Sequence, residues 1–376
     1  MGLLGETLSE EELTLTEKRI AEFQKRMKAN GVDAAMIKTA SSFTYFADVM
    51  WLRPGLVIPA EGDSVAFIPK NEVEAFRERS CIKNVVPYGG IDDLMPGITR
   101  VIREGRYHKV GMDMSVERDA FELFMHIFTN LNPKVDVVDV HSLIMELRMF
   151  KDASEIERIR RAAQTTDKGM KAAIESITPG ASELEVAAGA VYAMMKAGSE
   201  RPHVYVNAGP VPRIHAEPRA RVRVTGEDVV MITIGGDSED YYCNETRTYV
   251  PSAAPKEKHR AFDSLRSIYE SITPKLKPGT VLGSVEQEIG AALTAQDYSA
   301  NYVKGFAHGV GLLVEEDPIT TILIPHRRMA LREGMVIAAM HAPLAIPGAG
   351  SFKIEDTFLV TPNRPEQLTK HPTIVA

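Results

Sequence analysis

Several polar residues in the C-terminal half stand at turns and strand ends, where side chains more often react or bind than pack: His215, Arg247, His308, Glu315, Glu316, His341, Glu355 and Asp356. His308 is set among Gly305, Gly309 and Gly311. Glycines there let the backbone approach another group closely and are wasteful in a plain strand. His215 lies in NAGPVPRIHAEP, a Pro- and Gly-rich loop unsuited to core packing. Glu355 interrupts the apolar run FKIEDTFLV. A carboxylate buried there must meet a cation, a donor or a ligand, and one candidate is a structural salt bridge with Arg247. Histidine and carboxylate side chains suit general acid–base work or metal ligation, although a lone histidine more often serves only structure.

The stretch that must position these groups is residues 229–250, VVMITIGGDSEDYYCNETRTYV. It reads as a strand, a Gly-Gly turn with acidic residues, and a second strand ending in Thr-Arg-Thr. Around it the chain alternates in two regimes. Residues 14–30 form a helix with Ile20, Phe23 and Met27 on one face, stopped by Asn30-Gly31. Short β-type runs follow (AAMIK, LVIPA, SVAFIP, NVVPY, KVGMDM, VDVVDV), separated by helical stretches, which indicates an α/β domain ending near residue 150. It contains neither a Walker loop nor GxGxxG.

Beyond it, Ser154 and Glu157 have capping-box spacing before a long amphipathic helix. Pro179-Gly180 stops that helix, and Ser182-x-x-Glu185 starts another. About a hundred residues later a helix, Pro278-Gly279 and a second helix recur. Two related halves packed on a shared sheet explain the recurrence. GMVIAAMHAP and GSFKIEDTFLVT are strand-like, and NRPEQLTKHPTIVA reads as an irregular tail.

Composition narrows the partners. The 376 residues imply two domains. A net charge of −7 disfavours nucleic acid. No apolar run is long enough for a membrane helix, the N-terminus lacks a signal pattern, and lipidation at Gly2 is disfavoured. Cys81 and Cys243 suit free thiols in a reducing compartment. The expectation is a cytoplasmic protein with neither membrane nor nucleic-acid partners.

The order and spacing of NAGPVPRIHAEP, GEDVVMITIGG, YYCNETRT, GFAHGVGLLVEEDP, LREGMVIAAM and FKIEDTFLVT, with KDASEIERIRRAA at the junction, resemble the creatinase/aminopeptidase P/prolidase superfamily over the whole chain. The resemblance implies an α+β fold: a creatinase-like α/β N-terminal domain over residues 1–152, then a pita-bread domain over residues 153–376. In the latter a curved antiparallel sheet is flanked by helices in pseudo-twofold halves. Metallopeptidases of this family hold two metals with Asp, Asp, His, Glu and Glu, positions that fall here on Thr233, Asn244, His308, Met340 and Glu355. Glu315 stands where the peptidases usually have histidine. Two adjacent hard dications need several carboxylates, which threonine, asparagine and a thioether do not replace. His341 could take the slot of Met340 if the strand carries a bulge. No cofactor is expected, and at most one divalent metal.

The family's metal-free C–N hydrolases, such as creatinase and ectoine hydrolase, are the nearer comparison in character. His215 aligns with creatinase's proton-transfer histidine. WLRP at residues 51–54 is similar to creatinase's Phe-Gly-Arg-Pro, which reaches into the neighbouring subunit's site. The resemblance thus implies a homodimer, with Arg53 clamping a substrate carboxylate and Trp51 covering an apolar or cationic part. Creatinase's guanidinium-binding glutamate falls on Thr246, with Glu245 one residue off and therefore on the opposite strand face, which argues against creatine itself.

The expected activity is metal-independent hydrolysis of a C–N bond in a small zwitterionic carboxylate. His215 acts as base and then acid, His308 donates to the oxyanion, and Glu355 meets the substrate's cation or orients water. Thr233, Asn244, Thr246, Arg247 and His341 line the substrate. The alternatives are a non-catalytic binding descendant and a residual Xaa-Pro peptidase with one metal on His308, His341 and Glu355.

Overall fold

The computed structural model describes residues 10–51, 54–115, 121–213, 217–341 and 343–373. The chain divides into two compact units, Met1–Arg148 and Met149–Ala376.

In the first unit α1 (Glu10–Ala29) leads to β1 (Ala34–Ile37), α2 (Ala40–Ala47), β2 (Leu56–Pro59) and β3 (Val65–Pro69). Then come α3 (Val73–Arg77), β4 (Asn84–Tyr88), α4 (Ile91–Glu104), β5 (Lys109–Met112), α5 (Phe121–Leu131), β6 (Asp136–Asp139) and α6 (His141–Arg148). The sheet order is β4-β3-β2-β1-β5-β6, with antiparallel pairing at β1–β2 and β2–β3 and parallel pairing elsewhere. Its central strands are buried and carry apolar runs without alternation, as expected for strands covered on both faces. Ile98 and Ile102 of α4 and Phe124 and Phe128 of α5 pack with them in one core.

The second unit begins with α7 (Ala153–Glu175). Its cap lies two residues earlier than the Ser154/Glu157 spacing suggests: Asp152 accepts from the amides of Ser154 and Glu155, and the Glu155 carboxylate accepts from the Asp152 amide. The short Asp side chain reaches those amides without help, so it takes the capping position. The box at Ser182 and Glu185 does open α8 (Glu183–Lys196). β7 (His203–Ala208), β8 (Val230–Ser238) and β9 (Tyr241–Tyr249) form an antiparallel sheet.

The second half repeats the plan with α9 (Lys256–Ile272) and α10 (Leu282–Thr294). The Pro-Gly pairs do not themselves stop the first helices, which end at Glu175 and Ile272; Gly180 and Gly279 sit in the turns that lead into α8 and α10, both at φ +90°, a conformation that strains other residues. The second sheet has the order β11-β10-β12-β15-β16 and comprises β10 (Ala307–Gly309), β11 (Glu316–Ile319), β12 (Val336–Ala339), β15 (Asp356–Leu359) and β16 (Glu366–Gln367). Between its strands in sequence, β13 (Leu344–Ile346) and β14 (Gly350–Phe352) make a separate pair. The halves meet at Thr246 and Glu355, whose amides and carbonyls bond reciprocally at 3.0 and 3.2 Å.

Two local readings are corrected. Gly235 and Gly236 lie inside β8 and do not form the turn; the two-residue turn is Glu239-Asp240, with φ of 47° and 69°. Such turns match the twist of a hairpin, and here the charges of Arg161 and Arg201 hold the two acidic residues. Gly236 is needed for packing instead: a Cβ there would press on Thr166 of α7, whose hydroxyl receives the Gly236 amide. The C-terminal tail is also not irregular throughout, since β16 pairs with β15 and the carbonyls of His371 and Pro372 cap the Arg247 guanidinium.

Candidate active site

The β8–β9 hairpin sets the site by simple alternation. On β8, Ile232 and Ile234 face the core shared with α7 and α8. Thr233 faces the other way and meets Thr246, its register partner, with hydroxyls 2.8 Å apart. On β9, Asn244 and Thr246 share that face. The Thr246 hydroxyl donates to Glu355 Oε2 at 2.8 Å, which leaves Thr233 to donate to Thr246. Asn244 Nδ2 also donates to Glu355 Oε2, at 3.1 Å, while its buried Oδ1 has no hydrogen-bond partner among the described residues.

His308 arrives on β10. A Cβ at Gly309 would collide with the carbonyls of Glu316 and Asp317, and one at Gly311 with the Glu316 carboxylate. The glycines around His308 therefore serve the close approach of the adjoining chain. His308 Nδ1 lies 2.9 Å from the Gly309 carbonyl, which can only accept, so Nδ1 carries the proton and Nε2 presents a lone pair. Nε2 is 3.4 Å from Asn244 Nδ2 and 3.7 Å from Glu355 Oε1.

The expected substitution of His341 for Met340 has a backbone cause. After β12, Met340 adopts φ +67° and its side chain joins the apolar core with α9 and α10. His341 then turns toward the polar cluster, its ring edge-on to His308 at 4.6 Å, with Nδ1 2.7 Å from Glu355 Oε1.

Lys353 was missed at the level of sequence. Its Nζ lies 2.9 Å from Glu355 Oε2 and 3.1 Å from His341 Nδ1, and its side chain is buried. The signal was its place two residues before Glu355, on the same face of an extended segment. Thr248 fixes that segment, giving its hydroxyl to the Lys353 carbonyl and receiving the Lys353 amide, both at 2.8 Å.

Burial drives the His341 pKa down to about 3, with Lys353 adding to it, so His341 is neutral. Burial alone would raise Glu355, but Lys353 first and then His341 hold it well below the usual carboxylate range. Glu355 is thus an ionised carboxylate that accepts from Asn244, Thr246 and His341 and is paired with Lys353, so its charge is not available to a substrate cation while Lys353 remains in place.

Other expected site residues are placed differently. Arg247 faces the opposite side of β9 and is fully buried. It bonds Asp356, the carbonyls of Thr246 and Glu355, and those of His371 and Pro372. It neither touches substrate space nor pairs with the Glu355 carboxylate. Trp51 is buried in the first unit, edge-on to Phe76, with its indole N–H on Glu72 at 2.9 Å. Arg53 and His215 lie outside the described residues. Glu315 is half-buried, and Glu316 is buried against Lys151 at 2.8 Å.

Glu245, beside Arg247, is fully buried, and its oxygens have no aligned hydrogen bond although Arg247 Nη2 is 3.2 Å away. Burial pushes its pKa up to about 8 against the pull of Arg247, because Asp356 already claims the guanidinium. A raised carboxyl pKa favours folding only while the proton is retained. Stability falls as pH rises from the unfolded value near 4.5 toward 8, by up to roughly 1.4 kcal/mol per pH unit. Glu245→Gln should escape this loss: its Tm relative to the parent should climb between pH 5 and 8 and then level off, as followed by calorimetry. A pH-independent difference would refute the protonated state.

The donors His308, His341 and Glu355 lie within 4.8 Å of one another. They do not fit the two-metal centre that the fold suggests, since this group offers a single carboxylate. They do not fit one metal either while Lys353 stays, because its ammonium already contacts two of the three ligand residues.

Comparison with known proteins sets this geometry in a family. A family model described as metallopeptidase family M24 matches residues 157–362, and one described as creatinase/prolidase N-terminal domain matches residues 19–150. The chain is 26% identical to the Xaa-Pro dipeptidase of Pyrococcus furiosus over 356 residues, 94% of this chain and 98% of the relative. It is 23% identical to the creatinase of a Bacillus species over 390 residues, 97% and 92% of the two chains. The prolidase structure from Pyrococcus horikoshii superimposes with a TM-score of 0.85 at 25% identity, covering 96% of this chain and 100% of that one. Among the described residues no helix is long and apolar enough to cross a membrane.

Proposed function

We infer function from one premise: the chain belongs to metallopeptidase family M24 and is a hydrolase of C–N bonds within the Xaa-Pro peptidase and creatinase superfamily. We propose that its substrate is a small zwitterionic carboxylate and that hydrolysis proceeds without a metal. An Xaa-Pro dipeptide is itself such a molecule, so the names of the dipeptidase relatives and this reading agree on substrate class, and it is the family description, metallopeptidase, that differs over the metal. The observation that carries the proposal is the closed bonding of the expected ligand positions: Thr233 to Thr246, Thr246 and Asn244 to Glu355, and Glu355 to Lys353 and His341.

In this reading His308, whose Nδ1 faces the Gly309 carbonyl, accepts a proton from water through Nε2, a role worth roughly 10²–10⁴ in rate, and does not donate to the oxyanion. The unpartnered Asn244 Oδ1 receives an N–H of the substrate, and the Lys353 ammonium faces the developing oxyanion. Glu355 holds Lys353 and His341 in place. Arg53 and a homodimer remain part of the proposal as the resemblance implies them, and His215 as the acid that protonates the leaving nitrogen; the burial of Trp51 within its own unit removes it as a cover for the substrate.

A second reading has two supports, the His308, His341 and Glu355 donors and the archaeal dipeptidase relatives, which taken alone favour it: a residual Xaa-Pro dipeptidase with one metal. It requires Lys353 to leave its position. Assay of Xaa-Pro dipeptides and small amidino and amido carboxylates, with chelator and with added Mn²⁺, separates the two. Turnover that survives chelator and drops by roughly 10²-fold or more in His308→Ala is expected. Turnover lost to chelator and restored by Mn²⁺ establishes the second reading, and tight binding without turnover establishes a non-catalytic one.

A further inference from the structure

The charge balance of the buried cluster is closed without an external ion. Thr233, Asn244 and the turned-away Met340 contribute none. One carboxylate, Glu355, remains and one ammonium, Lys353, answers it at 2.9 Å. The neighbouring charges are spent elsewhere: Asp356 on Arg247 and Tyr269, and Glu316 on Lys151. A divalent ion added to His308, His341 and Glu355 would leave this dry site with uncompensated positive charge, and it would have to share Glu355 and His341 with a fixed cation.

We propose that Lys353 is the resident cation of the site, occupying with one hydrogen-bonded charge the place of a metal, and that it is what keeps metal out. This rests on the metal-independent reading above and extends it: the three donors remain a latent single-metal site, masked by one side chain. An ammonium suits the role because it answers the Glu355 carboxylate with a charged hydrogen bond, while Thr248 holds the backbone that aims it. Removing the charge and the donor, with the stem length kept, should unmask two imidazoles and a carboxylate, a ligand set that zinc and cobalt accept.

The test is Co²⁺ and Zn²⁺ binding by the full chain, purified through chelator and followed by cobalt ligand-field absorption and titration calorimetry. The parent is expected to bind no stoichiometric metal. Lys353→Met should bind about one equivalent with tetrahedral-type cobalt bands, as three protein ligands and an open position give. Lys353→Met/His308→Ala should lose at least tenfold in affinity, and Lys353→Arg, which keeps the charge, should exclude metal like the parent.

Parent protein that binds one Co²⁺ in a way His308→Ala abolishes overturns the proposal, and this arm does not depend on any Lys353 variant folding. If neither parent nor Lys353→Met binds metal, masking by Lys353 is refuted while metal-free hydrolysis stands. Because the readout is metal binding, an error in the substrate class leaves the answer intact.

Discussion

Replacing Glu355 with glutamine is expected to remove turnover and to lower Tm on the order of 10 °C, and the second effect reports more on the structure than the first. Four side-chain donors converge on this carboxylate, from Asn244, Thr246, His341 and Lys353. An amide in its place can accept only at one atom, and its NH₂ faces donors that have nowhere else to turn. The larger cost is electrostatic, because Lys353 would be left as a buried ammonium without a counter-charge. Removing one partner of a buried pair costs about 3–5 kcal/mol, and a unit of this size loses about 2–4 °C per kcal/mol. Glu355→Gln/Lys353→Met, which removes both charges, should regain most of the lost Tm and none of the turnover. Recovery measured through the double-mutant cycle isolates the ion pair from the chemistry. A single variant within about 2 °C of the parent would mean that Lys353 is not paired as described.

How far the sequence discloses this site depends on the range of the interactions. Local chemistry is legible. The Ser182 box, the paired Pro-Gly turns and the apolar runs of the first unit are written in neighbouring residues, and the structure shows them as α8, as two glycines at φ +90° between paired helices and as buried strands. The glycines around His308 are legible as a demand for close approach, but not what approaches, since the carbonyls of Glu316 and Asp317 are supplied by the neighbouring strand β11. Family resemblance reaches further, because it carries long-range placement that periodicity lacks.

Both routes fail at the same kind of residue. Lys353 looks like an ordinary basic residue in an apolar run, and no ligand pattern includes it. Its meaning appears only when the Met340 backbone turns His341 inward and the Thr246–Glu355 bridge joins the halves. Gly235 and Gly236 fail in the opposite sense. A Gly-Gly pair beside acidic residues is a strong turn signal, and here packing on Thr166 overrides it.

Arg247 tests the distinction between a residue that lines the substrate and one that holds the scaffold behind it. If it bound a substrate carboxylate, Arg247→Met would raise KM and leave Tm alone. The structure calls for the reverse. The guanidinium is fully buried among Asp356, Glu245 and four backbone carbonyls. Asp356 itself is tied to Tyr269 of α9 and to Thr369. The group therefore joins β9, the start of β15, α9 and the C-terminal tail. Removing its charge strands Asp356 in a dry interior, at about 3–5 kcal/mol, and frees the carbonyls of His371 and Pro372.

Arg247→Met should accordingly lower Tm on the order of 10 °C. It should also speed proteolytic nicking of the tail, and any folded fraction should keep a near-parental KM. Arg247→Lys should recover little. A single ammonium cannot span a carboxylate on one side and carbonyls from two segments on another, which the planar fork does with donors fixed in direction. Thermal unfolding, limited proteolysis and KM read on the same preparations decide the matter. A soluble Arg247→Met with parental Tm and an elevated KM would return the residue to the substrate side of the strand and contradict the register that places Thr246, and with it Glu355, on the opposite face.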